Sequence, residues 1–133
     1  MAKILFVCEG NTCRSPMAAG LARSILGETA VIESCGLETA DGRPANCKAV
    51  EVMNEIGLDI ANHRTKDISA VQASFFDLVV ALTPGIAAKL KGRGITDIVN
   101  LDVADPYGKD VTVYRDVRDQ LTAELRVLLE KPL

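Results

Sequence analysis

Cys8 closes an apolar run and Arg14 lies six positions further on, with Glu9, Gly10, Asn11, Thr12 and Cys13 between them and Ser15 and Pro16 behind: VCEGNTCRSP. If the run is a strand and Ser15–Pro16 opens a helix, the loop amides converge above a helix N-terminus. Unpaired N–H groups and the helix dipole then attract an oxyanion. The same field favours thiolate over thiol, so a cysteine placed there is expected to be nucleophilic at neutral pH. Gly10 permits close backbone approach and Asn11 tolerates left-handed geometry. Arg14 supplies a planar fork that matches two phosphoryl oxygens and follows charge as it develops. Ser15 can hydrogen-bond to the sulfur and support it as a leaving group. The stretch is neither a Walker loop, which ends Gly-Lys-Ser/Thr, nor a dinucleotide fingerprint, whose glycine spacing it lacks. On the spacing alone, a buried structural cysteine with an unrelated arginine is an even competitor; the strand before and the helix after weigh against it.

A thiolate attacking a phosphoryl group needs a proton donor for the departing atom, on another loop at the same edge. The segment DVADPYG offers Asp105, which precedes Pro106 and is thereby biased to an extended backbone. Tyr107 offers an aromatic wall. As bare sequence Asp-Pro-Tyr-Gly is a turn; its place after a strand is what raises it to a candidate acid.

Positioning these residues requires a sheet whose loops share one edge. Runs of strand length, Lys3–Val7, Ala30–Ser34, Asp77–Leu82 and Asp97–Leu101, alternate with segments of helical period. SPMAAGLARSILG has Pro16 near its first turn and Gly27 as a stop, and RPANCKAVEVMNEIG repeats the device with Pro44 and Gly57. Further helices are expected over Ser69–Phe75, over TPGIAAKLKGRG and over the final stretch from Thr112 to Lys131. In that stretch Val113, Val117, Leu121, Leu125 and Leu128 form one apolar face. The expected fold is an α/β, three-layer α/β/α sandwich with a four-stranded parallel sheet, flavodoxin-like or Rossmann-like, in strand order 2-1-3-4. Right-handed crossovers place every strand-to-helix loop at one edge. With 133 residues and no linker, repeat or low-complexity tract, residues 1–133 read as one domain.

Composition narrows the partners. A net charge of −3 and a pI near 5.1 provide no broad basic field for nucleic acid, so anion binding must be local. No apolar run approaches a membrane span or a signal-peptide core, and a soluble, cytoplasmic protein with no membrane partner is expected. The four cysteines, Cys8, Cys13, Cys35 and Cys47, fit neither a secreted disulfide framework nor a zinc site, so reduced thiols and no metal or other cofactor are expected.

VCEGNTCRSPMA, then in order ESCGL, GRPA, HR, DLVVAL and DPYG, resemble the low-molecular-weight protein-tyrosine-phosphatase family over nearly the whole chain. The resemblance implies Cys8 as nucleophile, Arg14 as phosphate clamp, Ser15 as thiolate support, and Asp105 as acid and then as base for the hydrolytic water. It places Glu9, Gly10, Asn11, Thr12, Cys13 and Tyr107 around the substrate, and implies that Asn11, Ser34 and His63 hold the loop by hydrogen bonds. It also suggests a reversible Cys8–Cys13 disulfide, set against a plain packing role for Cys13. The implied ligands are phosphorylated proteins and inorganic phosphate or other oxyanions.

Two departures bear on substrate choice. Thr12 stands where the family's phosphotyrosine enzymes carry a branched apolar residue, and LETADGRPA lacks an aromatic. Thr12, ALT at 81–83 and VYRDVRDQL resemble the phosphoarginine-directed branch, which makes phosphoarginine the alternative to phosphotyrosine. Thiol-linked arsenate reduction is a rival activity, disfavoured because ALTPGIAAKLKG holds no resolving cysteine. A non-catalytic phosphoprotein-binding module is a third reading, with no need for both Cys8 and Asp105. Cys35 and Cys47 are read as core or surface residues. Arg43 and Arg64 could guide anions but read more simply as solvated, and Asp41 and the run KLKGRG are assigned to the surface.

Overall fold

A computed structural model describes residues 2–130. Apolar residues alternate along β1 (Lys3–Cys8), and each parity serves a different layer. Ile4, Phe6 and Cys8 join one core cluster, and Leu5 and Val7 join the other. A strand covered on both faces has no solvent side to spend on polar residues, which is why β1 reads as an unbroken apolar run. It pairs in parallel with β2 (Val31–Gly36), from Lys3 opposite Val31 to Cys8 opposite Gly36, and with β3 (Leu78–Ala81). β4 (Ile98–Asn100) pairs with β3, giving the expected order 2-1-3-4.

On one face pack α1 (Arg14–Leu26), α2 (Cys47–Asn54) and α4 (Val111–Leu129), through Met17, Leu21, Val52, Met53, Leu121 and Leu125. The other face is covered by α3 (Pro84–Gly92) through Ile86, Ala87 and Leu90 and by a short turn carrying Ile68. The helix boundaries have local causes. Thr83 caps α3 by accepting from the Ile86 amide, and Asp110 caps α4 by accepting from Thr112 and Val113. Gly27 ends α1 in the left-handed region at φ 73°, which favours glycine. Because β1 lies between β2 and β3, the chain leaves it in opposite directions on its two sides. Its C-terminal end is therefore a topological switch point, where an α/β sheet opens a crevice. Among the described residues, no helix is long and apolar enough to cross a membrane.

Three sequence expectations shift. The second helix begins at Cys47, three residues beyond Pro44, because residues 43–46 are drawn elsewhere: Pro44 bridges to Arg64, and the Asn46 amide donates to the Thr12 carbonyl at 2.9 Å. Asn46 itself supplies the cap, accepting from the Lys48 amide. The helix expected over Ser69–Phe75 is instead two single 3₁₀ turns, Ile68–Ala70 and Ala73–Phe75, interrupted where Val71 and Gln72 run extended. The second strand gains Cys35 and Gly36, which pair with Val7 and Cys8. In the last helix the apolar stripe is as expected for Val117, Leu121 and Leu125, with Tyr114 as a further buried member; Lys131 lies outside the described residues.

Candidate active site

Directly after β1 the chain makes a tight loop from Glu9 to Cys13, and the direction of its peptide groups is set by its neighbours. Of the six consecutive carbonyls from Cys8 to Cys13, all but that of Glu9 accept a hydrogen bond. The Cys8 carbonyl accepts from Leu37 N at 3.1 Å, Gly10 from Thr39 Oγ1 at 3.0 Å, Asn11 from His63 Nε2 at 2.7 Å and Thr12 from Asn46 N at 2.9 Å. The Cys13 carbonyl accepts from Met17 N at 3.1 Å, in the first turn of α1. With the carbonyls held away, the amides are left facing the enclosed space. Among the described residues those of Glu9, Gly10, Thr12 and Cys13 have no partner, while Asn11 N donates to Cys8 Sγ at 3.3 Å.

Asn11 holds this shape together. It is fully buried at φ 56°, a left-handed conformation that asparagine tolerates better than most residues. Its side-chain amide donates to Ser15 Oγ at 2.8 Å and Ser34 Oγ at 3.0 Å, and its Oδ1 accepts from Lys66 N at 3.0 Å. Every polar atom of the side chain is thus used. Because Ser15 Oγ accepts from Asn11, its own proton is free to point at Cys8 Sγ, 2.8 Å away. His63 faces a carbonyl that can only accept, so Nε2 carries the proton. Burial, reinforced by Arg23, Lys66 and Arg64, holds the His63 pKa below its ordinary value despite that hydrogen bond.

Arg14 enters at the first position of α1 and is 6 % exposed. Nη1 donates to the Val103 carbonyl at 3.0 Å and Nη2 lies 3.7 Å from Asp105 Oδ2, so the guanidinium ties the loop after β1 to the segment after β4. Asp105 is exposed, and its Oδ1 accepts from the Tyr107 amide at 3.0 Å, which turns the carboxylate back over the cavity. The cavity has a volume of about 510 Å³. It is lined by the whole of the loop from Cys8 to Arg14, by Asp105 and Tyr107, and by Leu37, Glu38, Thr39, Arg43 and Lys89. Ser15, Ser34 and His63 stand behind the loop rather than in the cavity wall.

Cys13 and Cys8 are both free and buried, and Cys13 Sγ sits 3.4 Å from the Tyr114 hydroxyl. Burial pushes the Cys13 thiol up, and pushes Cys35, in the opposite core layer, up to about 12. Cys47 is exposed on α2.

Some of the site was invisible in the sequence reading. Lys89, assigned to the surface as part of KLKGRG, reaches the cavity and pairs with Glu9 at 3.7 Å. Gly36 makes room for the loop: a Cβ there would lie 2.4 Å from the Glu9 carbonyl oxygen and 3.2 Å from Asn11 Cβ. Leu37, Glu38 and Thr39 complete the rim. The available signal was their position, since each follows a strand whose loop opens at the same sheet edge.

The model of the family described as low molecular weight phosphotyrosine protein phosphatase matches residues 3–132. The chain belongs to this family, and so to a family of hydrolases. It is 33% identical to a glutaredoxin arsenate reductase of Synechocystis, over 98% of each chain. It is 36% identical to a protein-arginine-phosphatase of Geobacillus stearothermophilus, over 97% of this chain and 95% of that one. Among solved structures, a low molecular weight protein tyrosine phosphatase from T. tengcongensis superposes with a TM-score of 0.90 at 34% identity, covering 99% of this chain and all of the other.

Proposed function

We propose that this member hydrolyses phosphorylated side chains of proteins, phosphotyrosine or phosphoarginine, through a phosphocysteine intermediate. The observation that carries the reading is the loop's division of labour: carbonyls tied outward, four amides without partners, and a buried guanidinium, all around one sulfur. A dianionic phosphoryl group placed there meets N–H donors on one side and Arg14 on the other, with no reorganisation needed as charge grows in the transition state.

In the first step Cys8 Sγ attacks phosphorus, the bond from phosphorus to the leaving oxygen or nitrogen breaks, and Asp105 gives that atom its proton. In the second, Asp105 takes a proton from water as the water oxygen attacks phosphorus. The S–P bond then breaks, inorganic phosphate leaves and the thiolate is received by the Ser15 hydroxyl and the Asn11 amide. Both donors already address the sulfur, at 2.8 and 3.3 Å. Asn11, Ser34 and His63 act by keeping the loop in shape.

Phosphoarginine is favoured as a second reading by the rim. Thr12 lines the cavity and brings a small hydroxyl, and the only aromatic lining it is Tyr107, which is 70% exposed. A phenyl ring would find one loosely placed wall. Thiol-linked arsenate reduction is less supported, because Cys35 is buried in the core layer opposite Cys8 and, among the described residues, Cys13 is the one further cysteine that lines the cavity with Cys8.

The test compares kcat/KM of the reduced protein on a phosphotyrosine peptide and a phosphoarginine peptide, with Thr12→Ile alongside. A preference for phosphoarginine that Thr12→Ile reverses assigns the arginine reading; a preference for phosphotyrosine removes it. Turnover of neither, with arsenate reduced in the presence of thiols, would replace both.

A further inference from the structure

Glu38 occupies a backbone position that disfavours it. Its φ is 58°, a left-handed conformation in which glycine or asparagine is the unstrained choice. The turn is locked there by its surroundings. Asp67 Oδ1 accepts from the Thr39 amide at 3.0 Å, Thr39 Oγ1 is bonded to the Gly10 carbonyl, and the Leu37 amide to the Cys8 carbonyl. The three residues 37–39 are thereby joined directly to the anion loop, on the β2 side of β1. Asp105 arrives from the opposite side, beyond β3.

Glu38 is exposed and is one of the residues that line the cavity. Four other charged groups there are engaged in pairs: Glu9 with Lys89, and Asp105 with Arg14. Among the described residues the Glu38 carboxylate has no cation within 4 Å and no hydrogen-bond donor, and Arg43, the other charge at the mouth without a partner, does not reach it. A free carboxylate beside a site for a phosphoryl dianion repels the phosphoryl group. It becomes useful only when the substrate carries a positive, N–H-bearing group next to that dianion.

We propose that Glu38 is a specificity residue that accepts hydrogen bonds from a guanidinium at the mouth while the adjacent phosphoryl group occupies the loop. The inference rests on the phosphatase reading above and deepens it. The guanidinium has two sources: the one that bears the phosphoryl group in phosphoarginine, whose remaining nitrogens project out of the loop, or an arginine side chain flanking a phosphotyrosine. A planar guanidinium presents paired donors that fit a carboxylate and that a phenyl ring lacks.

The experiment measures kcat and KM for the wild type and Glu38→Gln on four substrates: p-nitrophenyl phosphate, a phosphoarginine peptide, a phosphotyrosine peptide flanked by arginine, and one flanked by uncharged residues. Glu38→Gln removes the carboxylate's repulsion of the phosphoryl group, so p-nitrophenyl phosphate and the uncharged peptide are expected to turn over as well as with the wild type or up to about twofold better. It should lower kcat/KM roughly tenfold, chiefly through KM, on a guanidinium-bearing substrate. Loss on the phosphoarginine peptide alone identifies the phosphorylated guanidinium as the ligand; loss on the arginine-flanked peptide identifies a neighbour. Equal changes on all four substrates, or none, overturn the role of Glu38 while leaving the phosphatase reading intact. A wild type inactive on p-nitrophenyl phosphate overturns the phosphatase reading itself, and this inference with it.

Discussion

The loop after β1 and the segment after β4 meet across Arg14, yet they are built differently. In the first, the carbonyls of Cys8, Gly10, Asn11, Thr12 and Cys13 all have donors, and Asn11 is buried with its side chain fully used. In the second, Asp105 and Tyr107 are 55% and 70% exposed, and the segment is held by a few contacts, chiefly Val103 to Leu82 and to Arg14. On the proposed reading the rigid half would surround the phosphoryl group, which is the same in every substrate, and the open half would meet the leaving group, which is not. Preorganisation is most effective where the charge is constant, and adaptability is tolerable where the chemistry only requires a proton to be within reach.

The sharpest way to break this comparison is to remove the sulfur alone. Cys8→Ser is expected to lower kcat on p-nitrophenyl phosphate by about 10⁴-fold or more. Inhibition constants for inorganic phosphate should stay within a few-fold, because the amides and Arg14 that hold the anion are untouched. Retained turnover would sink the phosphocysteine route. Loss of phosphate binding in parallel would show that the loop depends on the thiol for its shape, against the outward ties described here.

The open half is tested by Asp105→Asn. With a poor leaving group, proton donation dominates and kcat/KM, which reports the first step, should fall roughly 10²- to 10³-fold. With an activated aryl phosphate, whose phenolate leaves unaided, the loss in kcat/KM should stay under about tenfold. A plot of log kcat/KM against leaving-group pKa becomes steeper in the variant if Asp105 is the acid. Parallel plots would remove it from that role.

How much of this was legible in the sequence follows the same division. The parallel sheet could be read because apolar runs of strand length, β1 the most continuous, alternate with segments of helical period. Cys8, Arg14 and Asp105 could be read because their residue types and positions after strands are local facts. The loop-supporting roles of Asn11, Ser34 and His63 were reached only through resemblance, since nothing local in a lone histidine at 63 says that its ring meets a carbonyl 52 positions earlier. Lys89 was missed for a related reason: KLKGRG has the composition of a solvated helix end, and only the placement of α3 beside the loop brings one of its lysines to Glu9. The start of α2 failed because Pro44 is a good first-turn residue on propensity, while tertiary bonds to Arg64, Thr65 and Thr12 outweighed it.

The smallest effect expected is on the support of the rigid half. His63 donates Nε2–H to the Asn11 carbonyl, and burial holds its pKa below the ordinary value of 6.5. The folded protein therefore keeps His63 neutral at a pH where the unfolded chain has taken up a proton. The resulting stability is fully present above about pH 6.5 and is lost as pH falls through that value toward the folded pKa. Arg23, Lys66 and Arg64, which surround the ring, disfavour the imidazolium further. Asp67 shares the neighbourhood, but its bonds from Ser69 and Thr39 hold it near 2, so it titrates well below this window. His63→Gln removes the titrating ring while keeping a side-chain donor. Urea midpoints measured at intervals from pH 7.5 to 5.5 should show stability falling with acid in the wild type, and a flatter profile in the variant. At neutral pH the variant should be less stable by about 1 kcal/mol, the usual worth of one buried hydrogen bond. A wild-type slope that survives the substitution would assign the titration to another group and leave His63 as a purely geometric prop. A flattened slope with kcat reduced and KM nearly constant would show that the Asn11 carbonyl must be held outward for the loop amides to meet the transition state.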